Sequence, residues 1–169
     1  MAYLTFITGG QRSGKSNYAK QMAEKKNKNP IYLATSRVWD TGHEARIKKH
    51  KEDRGEHWTT IEEEKYISKH NFNNKTVVID CVTLWLTNFF YDNNQDIDNS
   101  LAEAKKEFDL LYNQKADLII ISNELGMGAH PASSIQMKFN DLQGWVNQYI
   151  AYYANDVYFM ISGIAQKIK

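Results

Sequence analysis

Short apolar runs alternate along this chain with longer stretches in which apolar and polar residues are mixed. The short runs predict buried strands, and the mixed stretches have the length and spacing of helices. The predicted strands are residues 3–7, 31–34, 76–80, 117–122 and 156–161. The predicted helices are residues 15–26, 42–54, 83–91, 100–114 and 133–154. This alternation predicts an α/β fold whose mainly parallel sheet is flanked by helices on both faces.

Local signals refine the ends of these elements. Ser100 followed by Glu103 has the spacing of a capping box at the start of the fourth helix. The Asn- and Asp-rich stretches at 71–75 and 92–99 are predicted surface loops. The tail from Ile164 to Lys169 could add an antiparallel edge strand. Its lysines, Lys167 and Lys169, would discourage pairing with any further strand.

The bulk composition narrows the class of protein. A chain of 169 residues is predicted to form a single domain, 1–169, with a sizeable core. The net charge of +1 gives no basic field that would favour nucleic acid, and no apolar stretch approaches the roughly 20 residues of a membrane span. The single Cys81 rules out an intrachain disulfide and fits a reducing cytosol. A strand at the very N-terminus leaves no room for a signal peptide, so we expect a cytoplasmic protein.

The segment from Gly9 to Ser16 fits the phosphate-binding pattern G-x-x-x-x-G-K-[ST]. It lies between a predicted strand and a predicted helix, which is the setting that the motif requires. Its glycines let backbone N–H groups converge on phosphate oxygens, and the helix N-terminus adds partial positive charge. Lys15 is expected to reach the β- and γ-phosphates, and the Ser16 hydroxyl to ligate Mg²⁺. The nucleotide-binding residues of this loop are Gly9, Gly10, Gln11, Arg12, Ser13, Gly14, Lys15 and Ser16.

Polar residues also follow two other predicted strands, at the edge where α/β sheets bind ligands. Asp80 ends an apolar strand, where a P-loop protein keeps a carboxylate for Mg²⁺. It could instead cap the helix that starts near Thr83. Thr35 and Ser36 follow the second strand, and their hydroxyls could bond phosphate or ribose or simply begin a helix.

The segment from Ser122 to Gly128 follows the most apolar strand, so it is predicted to lie at the same edge as the P-loop. Its polar residues and glycines could form a substrate loop, with Asn123 and Glu124 as its candidate contacts. They could equally form a plain strand-to-helix turn.

A basic stretch on the predicted helix 42–54 is the remaining candidate for chemistry. Arg46, His50 and Arg54 are spaced four residues apart and would share one helix face. Two guanidinium groups beside an imidazole suit an anionic substrate, although a solvated basic helix explains the stretch alone equally well. The other histidines show no metal-ligand spacing with one another or with the cysteine; they are His43, His57, His70 and His130.

Taken in order, these segments resemble the bifunctional adenosylcobinamide kinase / adenosylcobinamide-phosphate guanylyltransferase family of cobalamin biosynthesis. The resemblance runs nearly end to end. The blocks that carry it are Thr8–Ser16, Tyr32–Ser36, Arg46-Ile47 with His50 and Arg54, Trp58, Asp80–Asn88, Ser122–Gly128, and Ser162–Ile164 with Lys167.

The resemblance implies a P-loop NTPase fold of the RecA-like type, a homotrimer and two successive reactions. Members of this family first phosphorylate the aminopropanol hydroxyl of adenosylcobinamide with ATP or GTP. They then transfer GMP from GTP onto that phosphate through a GMP–histidine intermediate, giving adenosylcobinamide-GDP and pyrophosphate. The expected partners are therefore adenosylcobinamide, its phosphate, GTP and ATP, with Mg²⁺ as the cofactor.

The same resemblance implies roles for individual residues. His50 matches the histidine that carries GMP, and Lys15 shares the catalytic role. Beyond the P-loop, the implied nucleotide contacts are Ala34, Thr35, Ser36, Lys51, Glu52, Asp53, Arg54, Glu62 and Leu84. The Glu62 carboxylate would accept hydrogen bonds from the N1–H and N2–H₂ groups of guanine. The candidate substrate contacts are Arg46, Asn123 and Glu124, and the candidate metal ligands are Ser16 and Asp80.

The chain departs from the family pattern at two places. Gly42 and His43 stand where an acidic residue and a methionine are common, and Met137 and Asn140 stand where arginines are common. If those arginines hold the corrinoid or its phosphate, the departures bear on corrinoid affinity or on one of the two activities.

Three other functions compete with this interpretation. A small-molecule kinase with the same fold would transfer only the γ-phosphate and leave His50 dispensable. A GTPase switch normally reads guanine with N-K-x-D, and the segment Asn74-Lys75-Thr76-Val77 lacks the aspartate. Nucleic-acid binding through the basic stretch is disfavoured by the nearly neutral net charge.

Overall fold

The computed structural model describes residues 1–37, 55–128 and 130–169. The strands are β1 (Tyr3–Gly9), β2 (Ile31–Ala34), β3 (Thr59–Glu62), β4 (Thr76–Asp80), β5 (Asp117–Ile121), β6 (Asp156–Ile161) and β7 (Ile164–Lys167). The helices are α1 (Lys15–Lys26), α2 (Val82–Asp92), α3 (Ile97–Tyr112) and α4 (Ser134–Tyr153), with a short 3-10 helix at Ile67–Lys69. The predicted helix 42–54 lies outside the described residues.

Within the described residues, seven strands form one sheet in the order β3-β2-β4-β5-β1-β6-β7. Every neighbouring pair is parallel except β6 and β7, which pair antiparallel. Strand β5 therefore separates β1, which leads into the P-loop, from β4, which ends at Asp80. This arrangement confirms the predicted mainly parallel α/β fold of the RecA-like P-loop type and its antiparallel C-terminal edge.

The central strands are buried on both faces, as their apolar runs predict. In β5, Leu118 and Ile120 join a large core covered by α2, α3 and α4. The alternate residues Ile119 and Ile121 join a smaller core on the other face, against α1. Because successive side chains of a strand point to opposite faces, one apolar run supplies both cores. None of the described helices is long and apolar enough to cross a membrane.

The predicted start of one helix is wrong, and one strand was not predicted. Helix α3 begins at Ile97, and its N-cap is Asp96, whose carboxylate accepts a hydrogen bond from the Asn99 N–H at 2.9 Å. Ser100 lies inside the helix and donates its hydroxyl to the Asp96 carbonyl at 2.6 Å, so it is not the start of a capping box. Strand β3 was not predicted, because its four residues are short of buried apolar positions.

Candidate nucleotide-binding site

The P-loop leaves β1 in a backbone conformation that depends on glycine. Gly9 has a φ of 151°, and a Cβ placed there would lie 2.6 Å from the carbonyl oxygen of Met160. Gly14, the N-cap of α1, has a φ of 95°, and its Cβ would lie 3.1 Å from the Cα of Gly163. Side chains at these two positions would meet neighbouring backbone, so the motif glycines are required by close approach as well as by conformation.

Backbone hydrogen bonds from two neighbouring loops hold the P-loop. The Glu124 N–H donates to the Gly9 carbonyl at 3.0 Å, and the Gly163 N–H donates to the Ser13 carbonyl at 3.0 Å. These donors follow β5 and β6, the two strands that flank β1. The sheet order thus fixes the loop from both sides.

The Lys15 side chain is buried within this loop. Its ammonium donates to the carbonyl oxygens of Gly10 at 2.6 Å and Gly9 at 3.0 Å. Desolvation lowers the pKa of Lys15, and the nearby acidic groups of Cys81 and Asp80 oppose that shift. A positive charge held in a partly desolvated loop beside converging backbone is suited to phosphate oxygens. Ser16 is exposed on the first turn of α1.

Asp80 ends β4 at the same edge of the sheet as the P-loop. The N-cap of α2 is Cys81, with a φ of 67° and no side-chain capping bond, so the alternative in which Asp80 caps this helix is wrong. The Asp80 side chain is half-buried. Burial raises the pKa of the Cys81 thiol to about 11, which makes it a poor nucleophile near neutral pH.

Thr35 links the ends of two strands. Its side chain is fully buried, and the hydroxyl donates to the Asp80 carbonyl at 2.6 Å. A nucleotide contact by Thr35 stays a prediction. The neighbouring Ser36 is half-buried, and its hydroxyl donates to the Arg37 carbonyl at 3.1 Å.

Strands β3, β2 and β4 end level with one another. Ala34 is in register with Glu62 on one side and with Asp80 on the other. The Glu62 side chain is exposed at this edge. The predicted guanine contact, the predicted nucleotide turn and the predicted metal carboxylate therefore lie in one row.

Helix α2 clamps the ends of β2 and β3 with buried side chains. Asn88 is fully buried, and its amide nitrogen donates to the carbonyls of Thr35 at 2.8 Å and Glu64 at 2.9 Å. The Trp85 indole N–H donates to the Lys65 carbonyl at 2.9 Å. Sequence reasoning assigned no role to Asn88, although a lone amide among the apolar residues of α2 is the signal that could have identified it.

A charged cluster closes the outer end of this clamp. The Arg37 guanidinium donates to Glu64 at 2.7 Å and to both carboxylate oxygens of Asp92 at 3.0 and 3.2 Å. Hydrogen bonds from Asp92 and then Glu64 raise the pKa of Arg37 above its usual value. Lys65 also reaches Asp92, at 3.2 Å. Sequence reasoning missed Arg37, because its partners lie 27 and 55 residues away.

The predicted substrate residues Asn123 and Glu124 are tied to their own surroundings. The Asn123 side-chain amide donates to the Thr83 hydroxyl at 3.1 Å, and its carbonyl accepts from Asn147 at 3.1 Å. The Glu124 carboxylate accepts from the Gly126 N–H at 2.7 Å and so shapes its own turn. Leu84 is half-buried in the first turn of α2.

The described residues contain no group of three or more His, Cys, Asp or Glu side chains that could hold a metal ion. Nor do they include the basic stretch. The predicted site residues Arg46, His50, Lys51, Glu52, Asp53 and Arg54, and the departures Gly42 and His43, lie outside them.

A loop of this geometry between β1 and α1, with a lysine inside it and a carboxylate at the end of β4, defines a P-loop nucleotide-binding protein. A family model described as cobinamide kinase / cobinamide phosphate guanyltransferase matches residues 5–168. The chain belongs to this family.

Individual proteins agree with that assignment. The chain is 34% identical to the bifunctional adenosylcobalamin biosynthesis protein CobU of Escherichia coli K12, over 98% of this chain and 99% of that protein. It is 32% identical to the bifunctional adenosylcobalamin biosynthesis protein CobP of Pseudomonas aeruginosa, over 96% of this chain and 95% of that protein. The solved structure of the RadB recombinase matches with a TM-score of 0.49 and 16% identity, over 93% of this chain and 73% of that one. That likeness is too distant to carry an argument.

Proposed function

We propose that this chain phosphorylates adenosylcobinamide with ATP or GTP and then transfers GMP from GTP to the resulting phosphate through His50. The observation that carries the proposal is the buried Lys15 ammonium inside a glycine-dependent P-loop, in a chain that belongs to the cobinamide kinase family. The products of the two steps would be a nucleoside diphosphate with adenosylcobinamide phosphate, and then pyrophosphate with adenosylcobinamide-GDP.

In the first step, the P-loop aligns the triphosphate. Backbone N–H groups between Gly9 and Ser16 face the phosphates, and the Lys15 ammonium exchanges its carbonyl partners for β- and γ-phosphate oxygens. The acceptor hydroxyl forms a bond to the γ-phosphorus as the bond to the β-phosphate oxygen breaks. Such a transfer depends mainly on alignment and charge neutralisation, which this buried lysine supplies.

The residues at this edge fit a magnesium ion bound with the nucleotide. Ser16 offers an exposed hydroxyl and Asp80 a half-buried carboxylate. Mg²⁺ is typically held by one or two protein oxygens, with phosphates and water completing the shell, so these two suffice without a larger ligand cluster. When bound, the ion would neutralise charge on the phosphates.

The second step needs a nucleophile at the α-phosphorus. A neutral His50 imidazole nitrogen would form a bond to phosphorus, the bond to the β-phosphate oxygen would break, and pyrophosphate would leave. The imidazole gives up its remaining ring proton to solvent as the phosphoramidate forms. An oxygen of adenosylcobinamide phosphate then attacks the same phosphorus and breaks the N–P bond.

Base recognition is proposed to fall to Glu62. Its carboxylate lies at the end of the edge strand β3, in register with Ala34. The side chains that lock this end of the sheet, Asn88 above all, would keep it at a fixed distance from Asp80 and the phosphates.

We also propose that the protein acts in the cytoplasm as a homotrimer. The single cysteine supports the first statement, and the family resemblance supports the second. Analytical ultracentrifugation of the purified chain tests the trimer directly, since a monomer would sediment at one third of the mass.

The decisive experiment uses GTP labelled separately at the α- and γ-phosphates, without corrinoid. We compare wild type with His50→Ala and with the matched control His57→Ala, whose exposed imidazole pairs with Glu24 at 3.2 Å. After denaturation, wild type and His57→Ala should retain α-label that is acid-labile and alkali-stable, as a phosphoramidate is. His50→Ala should retain none.

Two other results would overturn parts of the proposal. Retention of α-label by His50→Ala would exclude His50 as the nucleophile. No α-label in wild type, together with γ-transfer to added adenosylcobinamide, would leave a kinase without guanylyltransferase activity.

A further inference from the structure

A cavity of about 580 Å³ lies beside the P-loop edge and takes no part in the nucleotide site. Its walls come from the second half of α2, the first half of α4 and the segment between Leu125 and Ala132 that follows β5. A volume of this size is in the range that binds small molecules.

The cavity shares a wall with the phosphate-binding loop. Leu125, which lines it, directly follows Glu124, whose N–H donates to the Gly9 carbonyl at 3.0 Å. On the other wall, Thr87 lies one helical turn after Thr83, which is bonded to Asn123 at 3.1 Å. A ligand seated in the cavity would therefore be separated from the P-loop by the segment that follows β5.

The lining chemistry disfavours a second nucleotide. None of the described lining residues is Lys or Arg, the usual partners of phosphate, and His130 is the one among them that can carry a positive charge. The walls combine an apolar surface, from Phe90, Ile135 and Phe139, with neutral amides on Gln136 and Asn140. Such a lining fits a bulky ligand that presents apolar surface and neutral amide groups.

We propose that this cavity binds an amide-bearing edge of the corrinoid acceptor and holds its hydroxyl arm towards the P-loop. The inference rests on the proposed function and names the place of its second substrate. A corrinoid is larger than the cavity, so one edge enters while the rest of the macrocycle stays outside. Asn140 and the backbone at Gly128 and His130 would bond peripheral amides, and the aromatic walls would cover apolar ring atoms.

Ile135 is the residue at which the proposal can be tested without unfolding the protein. It lines the cavity and its side chain is 43% exposed. It stands in the first turn of α4, where a carboxylate interacts favourably with the helix dipole, so Ile135→Glu should fold. Ser134 in the same helical turn is exposed but does not line the cavity, which makes Ser134→Glu the matched control.

Equilibrium dialysis with dicyanocobinamide, a form of cobinamide without net charge, in the absence of nucleotide, measures acceptor binding independently of catalysis. We expect Ile135→Glu to raise the dissociation constant by about 10-fold or more, because a buried carboxylate against an uncharged ligand is desolvated without a partner. Ser134→Glu should bind as wild type does. Both variants should retain the α-label from GTP, since that step uses no corrinoid.

A second variant, Asn140→Leu, and a second measurement, the sedimentation coefficient, test the proposal further. Asn140→Leu, which keeps the size and removes the amide, should also weaken cobinamide binding. Wild-type affinity in both Ile135→Glu and Asn140→Leu would overturn the proposal. So would a change in sedimentation coefficient in Ile135→Glu alone, which would identify the cavity as a contact between subunits. If wild type binds cobinamide but transfers neither phosphate nor GMP, the proposed function fails while the binding site stands.

Discussion

The two ends of the candidate nucleotide site are held in different ways. At the P-loop end, residues 9–16, the supporting hydrogen bonds run from backbone to backbone, from Glu124 and Gly163. At the β2–β3 end, residues 34–37 and 62–65, the supports are side chains of α2, with Asn88 fully buried between two carbonyls. The P-loop end requires glycines, which have no side chain, whereas the β2–β3 end requires the side chain of Asn88.

This difference follows from what each end has to do. Phosphate recognition uses backbone N–H groups, so the chain must approach closely and glycines are placed where a Cβ would collide. The β2–β3 end closes the edge of the sheet, where β3 has a neighbour on only one side. Hydrogen bonds from a neighbouring helix replace the missing strand there. The first end should therefore be intolerant of added atoms, and the second of deleted ones.

The largest effect is expected from adding one methyl group at the P-loop end. In Gly9→Ala the new Cβ would lie 2.6 Å from the Met160 carbonyl oxygen at a φ of 151°, and neither backbone can yield without displacing β6. We expect a loss of about 3 kcal/mol in the free energy of unfolding. Phosphoryl and guanylyl transfer should fall together, because both would use this loop.

Gly10→Ala is the matched control, since a Cβ at Gly10 meets nothing within 4 Å. Urea denaturation should leave it close to wild type. Equal stability of the two alanine variants would contradict the close-approach account of Gly9.

Deleting the clamp at the β2–β3 end should have the next largest effect. Asn88→Ala leaves the buried carbonyls of Thr35 and Glu64 without their donor. The Asn88 carbonyl oxygen has no partner among the described residues, so its removal offsets part of that loss. We expect a net cost of about 2 kcal/mol in unfolding free energy.

A comparison of KM values for GTP and ATP tests whether the β2–β3 end, and not the P-loop end, recognises the base. If Glu62 reads guanine, Asn88→Ala should raise the KM for GTP more than the KM for ATP in the kinase step. Asn99→Ala, an exposed amide on α3, controls for the substitution itself. Equal changes in the two KM values would refute a link between the clamp and base recognition.

The charged cluster around Arg37 should contribute less to the free energy of unfolding than the buried Asn88 amide does. Arg37 and Asp92 form two hydrogen bonds, but their side chains are 29% and 35% exposed, so solvent screens the pair. A double-mutant cycle of Arg37→Ala and Asp92→Ala should give a coupling energy of about 1 kcal/mol, smaller again in 1 M salt. A coupling that is absent at low salt would show that the Arg37–Asp92 pair does not help to hold this end.

Sequence reasoning succeeded at the P-loop end because its determinants are local. The spacing of Gly9, Gly14 and Lys15 within one loop, after an apolar strand and before a helix, specified that part of the fold. The position of Asp80 followed because an apolar run marks where β4 ends. These features need no knowledge of which residues meet in space.

It failed at the β2–β3 end because the determinants there are distant contacts. The Thr35 hydroxyl meets a carbonyl 45 residues away, and nothing in its neighbourhood distinguishes that role from a ligand contact. Strand β3 has no buried residue in its four positions, so its pairing with β2 provides the only sign that it is a strand. The start of α3 was mistaken because Asp96 and Ser100 both offer capping chemistry, and burial of Ser100 decides between them.

The smallest effect is expected outside both ends of the site, at the open end of the β6–β7 hairpin, where Asp156 begins β6 and Lys167 ends β7. Hydrogen bonds from Lys167 and then Tyr3 lower the pKa of Asp156. A carboxyl whose pKa is lower in the folded state stabilises the fold above its unfolded pKa, about 3.9, and loses that contribution as pH falls through the folded value. Asp156→Asn should therefore be less stable than wild type at pH 7, and the difference should shrink steadily below about pH 4.

Thermal unfolding at several pH values measures this difference, with Asp141→Asn, an exposed carboxylate on α4, as the control. The hydrogen bond to Asp156 raises the pKa of Lys167, so the same pair keeps its contribution through neutral pH and weakens only in strongly alkaline solution. The pair lies at the opposite end of β6 from Gly163, so nucleotide affinity should be unchanged in Asp156→Asn. A pH-independent deficit in Asp156→Asn would mean that packing of β7, and not this ion pair, secures the open end of the hairpin.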